Sequence, residues 1–509
     1  MGQSVGIRVD PRRKQPLHRQ IFDEVVSRIE ARAFPPGYKL PPTRVLATEL
    51  AAHRNTVARA YADLEAAGFV SSRVGRGTFV EALRSPQPSA AKPAAAATRE
   101  LPWASLLSQA ARRDALRRRD AARPAHGPEV INLARMQPSA DLIPQALLQR
   151  CIAHALTEHG TDALVYAPPE GARRLREQIA RDLLARGVPV QPDDVIVTSG
   201  SQQGLDLVSR ALLDPGDALL IEPATYAGAI ELFTVAGANL LPVPLDDEGP
   251  DPDALARLAR GDVKALYLMP NANNPTGRML SAERRRQLLE WSRLAGVPLI
   301  EDDYAAGLTL EPHDPPPHLR ALDGDVIHIS TFSKRVAPGL RVGYVIAPRA
   351  LRPALISLKH AIDLSTSLVL QHGLAEFLER GYLRAHEQRM AREYRARRDA
   401  LHAALHKSMP AECRWHVPSH GVVLWLRLPP EIAPEALYEE ALRRGVLVGR
   451  GGQFSVGAQS EPAVRLSFCA EPSARLAEGA RRLAKACKHV LAQRRAAPRA
   501  QTEDISELV

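Results

Sequence analysis

Lys334 lies in the stretch Ser330-Thr331-Phe332-Ser333-Lys334-Arg335-Val336-Ala337-Pro338-Gly339-Leu340-Arg341-Val342-Gly343. Ahead of it, Val326-Ile327-His328-Ile329 is a mostly β-branched run bounded by Gly324 and Asp325, and it reads as a buried strand. Pro338-Gly339 is a turn signal. An amine is therefore expected just beyond a strand end, beside small hydroxyls, with an arginine seven positions later. That set suits a partner bearing both an aldehyde and a phosphate. The amine condenses with the aldehyde, while hydroxyls and a guanidinium hold the dianion. A lone Ser-x-Ser-Lys also fits a loop with an ordinary surface lysine, so the neighbouring segments decide.

Those segments sit at other strand ends. Thr198-Ser199-Gly200-Ser201-Gln202-Gln203-Gly204 follows a strand and opens a helix, where free N–H groups and the helix dipole face an anion. Glu222-Pro223-Ala224-Thr225-Tyr226 brings an aromatic suited to stacking on a flat ring, although a tyrosine here also suits a core. Pro270-Asn271-Ala272-Asn273-Asn274-Pro275-Thr276-Gly277 holds an amide in a rigid turn, and Glu301-Asp302-Asp303-Tyr304 offers a carboxylate and a phenol. The strands behind them read as Val195-Val197, Ala218-Ile221, Leu266-Leu268, Val297-Ile300 and Val326-Ile329, with helices between. Alternation of that kind predicts an α/β fold: a mostly parallel sheet covered on both faces, with its site at the carboxyl ends of the strands.

The first quarter of the chain differs in charge. Residues 1–82 hold 13 Lys/Arg against 8 Asp/Glu, and residues 83–127 hold 9 against 3, whereas the chain carries a net charge of +10 in all. The excess sits entirely in the first quarter, which points to a polyanion partner for that quarter. Ile21, Val25 and Ile29 recur every four residues and predict an amphipathic helix from Leu17 to Ala33, stopped by Pro35-Pro36-Gly37. Thr43 precedes a short helix over Arg44 to Ala51. A turn at Ala52-His53 leads to a second, over Asn55 to Ala67, closed by Gly68. Phe69 to Val80 then alternates as two strands about the tip Gly75-Arg76-Gly77. Helix-turn-helix followed by a basic wing is an arrangement that reads DNA.

At 509 residues more than one domain is expected: a winged helix over 1–82, a Pro/Ala/Arg-rich linker over 83–127, a large domain over 128–493 and a tail over 494–509. A helical run from Trp103 to Arg119 would carry Arg112, Arg113, Arg117, Arg118 and Arg119. No apolar run reaches about 18 residues, so no membrane span is expected. The four cysteines (Cys151, Cys413, Cys469, Cys487) show no metal-ligand spacing, and no metal is expected. Their low density fits a reducing cytoplasm.

Leu40-Pro41-Pro42-Thr43-Arg44, Asn55-Thr56-Val57, Ala60-Tyr61, Gly68 and Gly75-Arg76-Gly77-Thr78-Phe79-Val80 resemble the winged-helix domain of GntR-type bacterial regulators. The resemblance implies that Arg44, Arg54, Asn55 and Thr56 touch phosphates or base edges of a double-stranded operator, with Arg76 at the wing tip and Arg59 adding a phosphate contact. The strand-end motifs of residues 130–490 resemble the fold-type I aminotransferases, which have a smaller α+β subdomain beside the large sheet and bind pyridoxal 5′-phosphate. On that resemblance Lys334 forms the Schiff base, Asp302 pairs with the ring nitrogen, Asn274 and Tyr304 bind the 3′-oxygen, and Tyr226 stacks on the ring. Ser201, Gln202, Thr331, Ser333 and Arg341 surround the phosphate. Tyr166 reaches the phosphate of a neighbouring subunit, which implies a homodimer, and Arg465 clamps a substrate carboxylate.

One departure stands out. Relatives have a glycine shortly before the proline of the first strand-like segment, whereas this chain reads Ile131-Asn132-Leu133-Ala134-Arg135-Met136-Gln137-Pro138. Arg135 is therefore expected to narrow or recharge the substrate pocket. A basic winged helix joined to an aminotransferase-like domain is the layout of MocR-type regulators, which this chain resembles. That implies a DNA-binding regulator sensing pyridoxal phosphate, an amino acid or an amine through aldimine exchange at Lys334. A working aminotransferase with an accessory DNA-binding domain is the alternative.

Overall fold

The structure is a computed structural model that describes residues 7, 9–10, 15–73, 77–81, 106–112, 129–258, 261–312, 315–457 and 461–496. The wing tip with Arg76, the stretch 82–105 and the arginines Arg113 and Arg117 to Arg119 lie outside the described residues. Of the helical run expected around Arg112, a short helix over Gln109–Arg112 is described. The chain divides into two compact units, Met1–Pro102 and Trp103–Val509.

The first unit holds α1 (Leu17–Glu30), α2 (Thr43–Glu49), α3 (Arg54–Ala66) and an antiparallel pair, β1 (Val70–Arg73) against β2 (Gly77–Val80). The four-residue spacing puts Ile21, Val25 and Ile29 on one face of α1, where they meet Leu46, Val57, Leu64 and Val80 in a closed core. The helix ends at Glu30, short of Ala33, because Arg32 turns left-handed at φ 58°. At α2, Thr43 is the first helical residue and makes no side-chain cap; Pro42 before it holds the extended conformation from which the helix starts. Gly68 (φ 77°) closes α3 as expected. Its N–H donates to Glu65 O at 3.0 Å and the Phe69 N–H to Leu64 O at 3.0 Å, so two end carbonyls are satisfied.

The second unit is built on a seven-stranded sheet. The short β3 (Ile131–Asn132) precedes it, and the sheet's strands are β4 (Val195–Thr198), β5 (Ala218–Ile221), β6 (Asn239–Pro242), β7 (Val263–Leu268), β8 (Leu299–Asp303), β9 (Ile327–Thr331) and β10 (Gly343–Ile346), in spatial order β4-β10-β9-β8-β7-β5-β6. All neighbouring pairs are parallel except those of β10, which runs antiparallel to β9 and β4. Helices cover both faces. Residues Val195, Val197, Tyr344 and Ile346 pack with Leu175 and Ile179 of α4 (Arg173–Ala185) on one side. Their alternates Ile196, Val345 and Ile329 pack with Leu205 and Val208 of α5 (Ser201–Leu212) on the other. This is the layering that the alternating pattern predicts.

A smaller α+β subdomain follows. The long helix α6 (Tyr382–Ser408) leads to a three-stranded antiparallel sheet of β11 (Val423–Arg427), β12 (Gly449–Arg450) and β13 (Ala463–Ser467), with α7 (Ser473–Ala496) packed along α6. The segment from Ile131 joins this subdomain, since Ile131-Asn132 pairs in parallel with Val446-Leu447 and the Ser467 N–H donates to Leu133 O at 2.6 Å. Residues 134–137 are thus delivered from the subdomain side to the ends of the large sheet.

Candidate functional site

The strand ends of the large sheet and the segment 134–137 enclose a cavity of about 410 Å³. Lys334 lines it, three residues past the end of β9, together with Ser201, Gln202, Tyr226, Asn274 and Asp302. Tyr304, Thr331, Ser333, Arg341, Arg465 and Arg135 line it as well. Of the residues expected around the cofactor and substrate, Tyr166 alone lies elsewhere. It is 78% exposed, beside Val165 at 61% and Leu164 at 68%.

β8 runs on through Asp303, three residues beyond the expected Val297-Ile300, so three buried carboxylates stand in succession inside a strand. The pleat separates them, because successive side chains point to opposite faces. Glu301 turns away from the cavity and accepts from His328 at 3.0 Å, Asn271 Nδ2 at 3.2 Å and the Leu319 and Arg320 N–H groups. These partners, with His318, hold it ionised well below the usual carboxylate range despite complete burial. Asp302 faces the cavity. Tyr267, on the same face of the neighbouring β7, donates its hydroxyl to Asp302 Oδ2 at 2.8 Å. Burial outweighs that bond and pushes the Asp302 carboxyl up to about 7.

Asp302 Oδ1 and the Tyr304 hydroxyl are buried without a partner among the described residues. Unpaired buried groups of this kind are costly and call for a ligand. A protonated ring nitrogen fits the first, and a ring oxygen fits the second. The phosphate end fits too. Gly200 (φ 86°) precedes α5 without a side-chain cap, leaving the first N–H groups of a twelve-residue helix toward the cavity. Arg341 lies across Gly200 and donates to Ser199 O at 3.1 Å, and a Cβ at Gly200 would stand 2.6 Å from its Nη2. Thr331 Oγ1 and Ser333 Oγ, at and just beyond the end of β9, are 2.9 Å apart and line the same cavity. Gln202 spends its side chain on Gly228 O (2.9 Å) and the Tyr226 hydroxyl (3.2 Å), so it steadies the aromatic ring and leaves only its N–H for an anion. The residues present therefore fit pyridoxal phosphate.

Lys334 is half-buried, and its Nζ donates to the carbonyl of Met136. Burial, reinforced by Arg465 and Arg341 and offset by Cys469, lowers its pKa from the ordinary lysine value. More neutral amine is therefore present to attack an aldehyde. Arg465 is buried above Phe454 (4.4 Å to the ring centroid) and donates to Asn274 Oδ1 at 3.0 Å and Ala134 O at 2.8 Å. Burial brings its pKa down to about 10. Four contributors to this site escape the motif reading: Tyr267, Phe454, Cys469 and the Met136 carbonyl. Tyr267 and Phe454 look like core residues in sequence, and a backbone carbonyl has no sequence signal at all. Cys469 bonds Gln137 O at 3.3 Å and so fixes the same segment that carries Arg135.

In the first unit, Arg44, Arg54, Asn55 and Arg59 are exposed, and Thr56 is half-buried. His53 Nδ1 caps α3 by accepting the Asn55 N–H at 3.2 Å. The helix thus presents its N-terminal turn to solvent, with Arg59 one turn further along the face of Asn55.

Comparison with known proteins agrees with both halves. Residues 128–483 match the family described as aminotransferase class I and II, and residues 17–80 match the gntR family of bacterial regulatory proteins. A 2-aminoadipate transaminase of Thermus thermophilus is 36% identical over 371 residues, spanning 72% of this chain and 92% of the relative. A probable rhizopine catabolism regulatory protein, MocR, of Rhizobium meliloti is 31% identical over 443 residues, spanning 85% of each. The crystal structure of LysN, an alpha-aminoadipate aminotransferase of Thermus thermophilus complexed with N-(5′-phosphopyridoxyl)-L-leucine, matches with a TM-score of 0.71 at 32% identity, over 77% of this chain and 100% of that one. The chain belongs to the class I and II aminotransferase family, fused behind a gntR-type DNA-binding domain. With that architecture it is a transcriptional regulator of the MocR type, with a pyridoxal-phosphate site. Among the described residues no helix is long and apolar enough to cross a membrane.

Proposed function

We propose that this regulator acts as a cytoplasmic homodimer whose affinity for a double-stranded operator is set by pyridoxal phosphate and by an amino acid or amine at Lys334. The observation that carries the reading is the pairing, in one chain, of a solvent-facing helix α3 with a cavity complete around a lysine of lowered pKa. When bound, the cofactor supplies an aldehyde that condenses reversibly with primary amines. Asp302 Oδ1 would accept the ring N–H, Tyr226 would stack on the ring, and Tyr304 and Asn274 would bind the ring oxygen. The N-terminus of α5 at Ser201 and Gln202, the Thr331 and Ser333 hydroxyls, and Arg341 hold the phosphate. Arg465 holds the effector carboxylate bidentately, and Arg135 borders it. The exposed Leu164, Val165 and Tyr166 support a second copy covering this surface, with Tyr166 reaching the phosphate of its partner.

A ligand shifts an equilibrium only through contacts that differ between two states. Lys334 supplies one. Free, its amine donates to the Met136 carbonyl, on the segment paired with the small subdomain. Engaged with the cofactor, it cannot make that bond. An effector amine that displaced it would free Lys334 for Met136 again, and that bond would favour closure of the subdomain on the sheet. Closure then changes how the dimer presents its two α3 helices, with Arg44, Arg54, Asn55, Thr56, Arg59 and Arg76, to paired half-sites. Titrating operator binding with pyridoxal phosphate and a panel of amines tests this. Affinity should change with both, and identical affinity under every condition would sink the sensing claim.

The completeness of the cofactor set also favours a second reading, a working aminotransferase with an accessory DNA-binding domain. Turnover with an amino donor and a keto acid at about 1 s⁻¹ or more would support it. Spectral change with amines but negligible turnover supports the sensor.

A further inference from the structure

The cations around the cavity outnumber the groups that the cofactor and a simple amino acid can neutralise. Lys334, Arg341, Arg465 and Arg135 line it, and Asp302 is the one carboxylate among its described lining residues. On the reading above, the cofactor phosphate takes Arg341, its ring nitrogen takes Asp302, its aldehyde takes Lys334, and the effector carboxylate takes Arg465. Arg135 is left over. Among the described residues its guanidinium meets no carboxylate. Its side-chain bonds go to the neutral Gln137 Oε1, at 3.0 Å from Nε and 2.7 Å from Nη2.

Its position is built rather than incidental. The Asn132 side chain accepts the Ala134 and Arg135 N–H groups at 3.1 and 2.9 Å, and Cys469 bonds the Gln137 carbonyl on the far side of the turn. The residue before it offers the carbonyl that orients Arg465 at 2.8 Å. One short turn therefore carries an exposed cation that meets no carboxylate among the described residues, and also buttresses the buried carboxylate clamp. A ligand that fills both must have two anionic ends with the amine between them and nearer to one.

We propose that Arg135 makes this site selective for amino compounds with a second anionic group, of the acidic amino acid class, a refinement that rests on the effector reading above. A neutral side chain leaves Arg135 bonded to Gln137. An acidic one exchanges that neutral acceptor for an anionic one, so the same fork gains a Coulombic attraction that Gln137 cannot supply. Because Arg135 is exposed, the expected gain is moderate, at most about fivefold in affinity.

The test uses the full-length protein loaded with pyridoxal phosphate, titrated with L-glutamate, L-glutamine, L-aspartate and L-asparagine while following cofactor absorbance. Each pair is nearly isosteric and differs in charge. The wild type should half-saturate at about fivefold lower concentration with the acid than with its amide. R135Q should bring the two within about twofold, R135K should keep part of the preference, and R135E should reverse it. Equal cofactor content in the variants controls for folding. Equal response of the wild type to acid and amide overturns the proposal and leaves amine sensing intact, as does a preference that survives in R135Q. Failure of every amino acid to change the spectrum of the loaded protein overturns amine sensing itself, and this refinement with it.

Discussion

Asp302 shows how much a single residue sacrifices to a site. Its carboxyl is buried, one oxygen has no partner among the described residues, and its pKa rises to about 7. In the cofactor-free protein the folded state keeps a proton that the unfolded chain releases near pH 4, so stability falls as pH rises from about 4 to about 7. Above both values the penalty is on the order of 4 kcal/mol. Asp302→Asn removes it. The cofactor-free variant should therefore melt higher than cofactor-free wild type at pH 8 and close to it at pH 4, yet hold pyridoxal phosphate at least tenfold more weakly. Equal melting at pH 8 would show that Asp302 is not strained. Lys334→Ala makes a complementary prediction: cofactor still binds through the phosphate and ring contacts, but borohydride fixes none of it to the chain, as mass spectrometry reads directly. These side chains were legible because chemistry restricts residue type. Tyr267 and the Met136 carbonyl were not, since strand register places the first and a long-range chain crossing places the second.

Elements carry the next level. The turn into α5 depends on Gly200, whose φ of 86° suits glycine and whose missing side chain leaves room for Arg341. Gly200→Val should cost about 1–3 kcal/mol of stability through backbone strain and weaken binding of inorganic phosphate and cofactor alike; calorimetric titration with each separates this from a ring defect. In α3, Arg59→Ala should weaken binding to all DNA sequences nearly uniformly and reduce the slope of log affinity against log salt by about 1, as expected for one phosphate contact. A sequence-specific loss with an unchanged slope would instead place Arg59 on a base edge. The helices of the first unit could be read from the sequence because four-residue apolar spacing has one structural solution. β10 could not. Gly343-Tyr344-Val345-Ile346 is a fully buried run like β4 and β9 on either side of it, and nothing in such a run states its direction or its place in the sheet. The extension of β8 was hidden for another reason: Glu301-Asp302-Asp303 has the composition of a loop, and it stays buried through distant partners such as His318, His328 and Tyr267.

For the whole molecule, the claim is that occupancy of one unit's cavity alters what the other unit binds. The sequence was explicit about the partner of each unit, through the charge excess of the first 127 residues and the strand-end motifs of the second. It was silent on coupling, which depends on the difference between two states and on contacts such as Lys334 to Met136 that exist in one of them. Coupling is reciprocal: if an amine changes DNA affinity by some factor, DNA changes amine affinity by the same factor. The most direct test therefore measures amine binding from cofactor absorbance, with and without saturating operator DNA. The half-saturating concentration should shift by roughly fivefold or more in the wild type. Identical curves with and without DNA would contradict the account, and leave a DNA-binding protein joined to a cofactor site that does not control it.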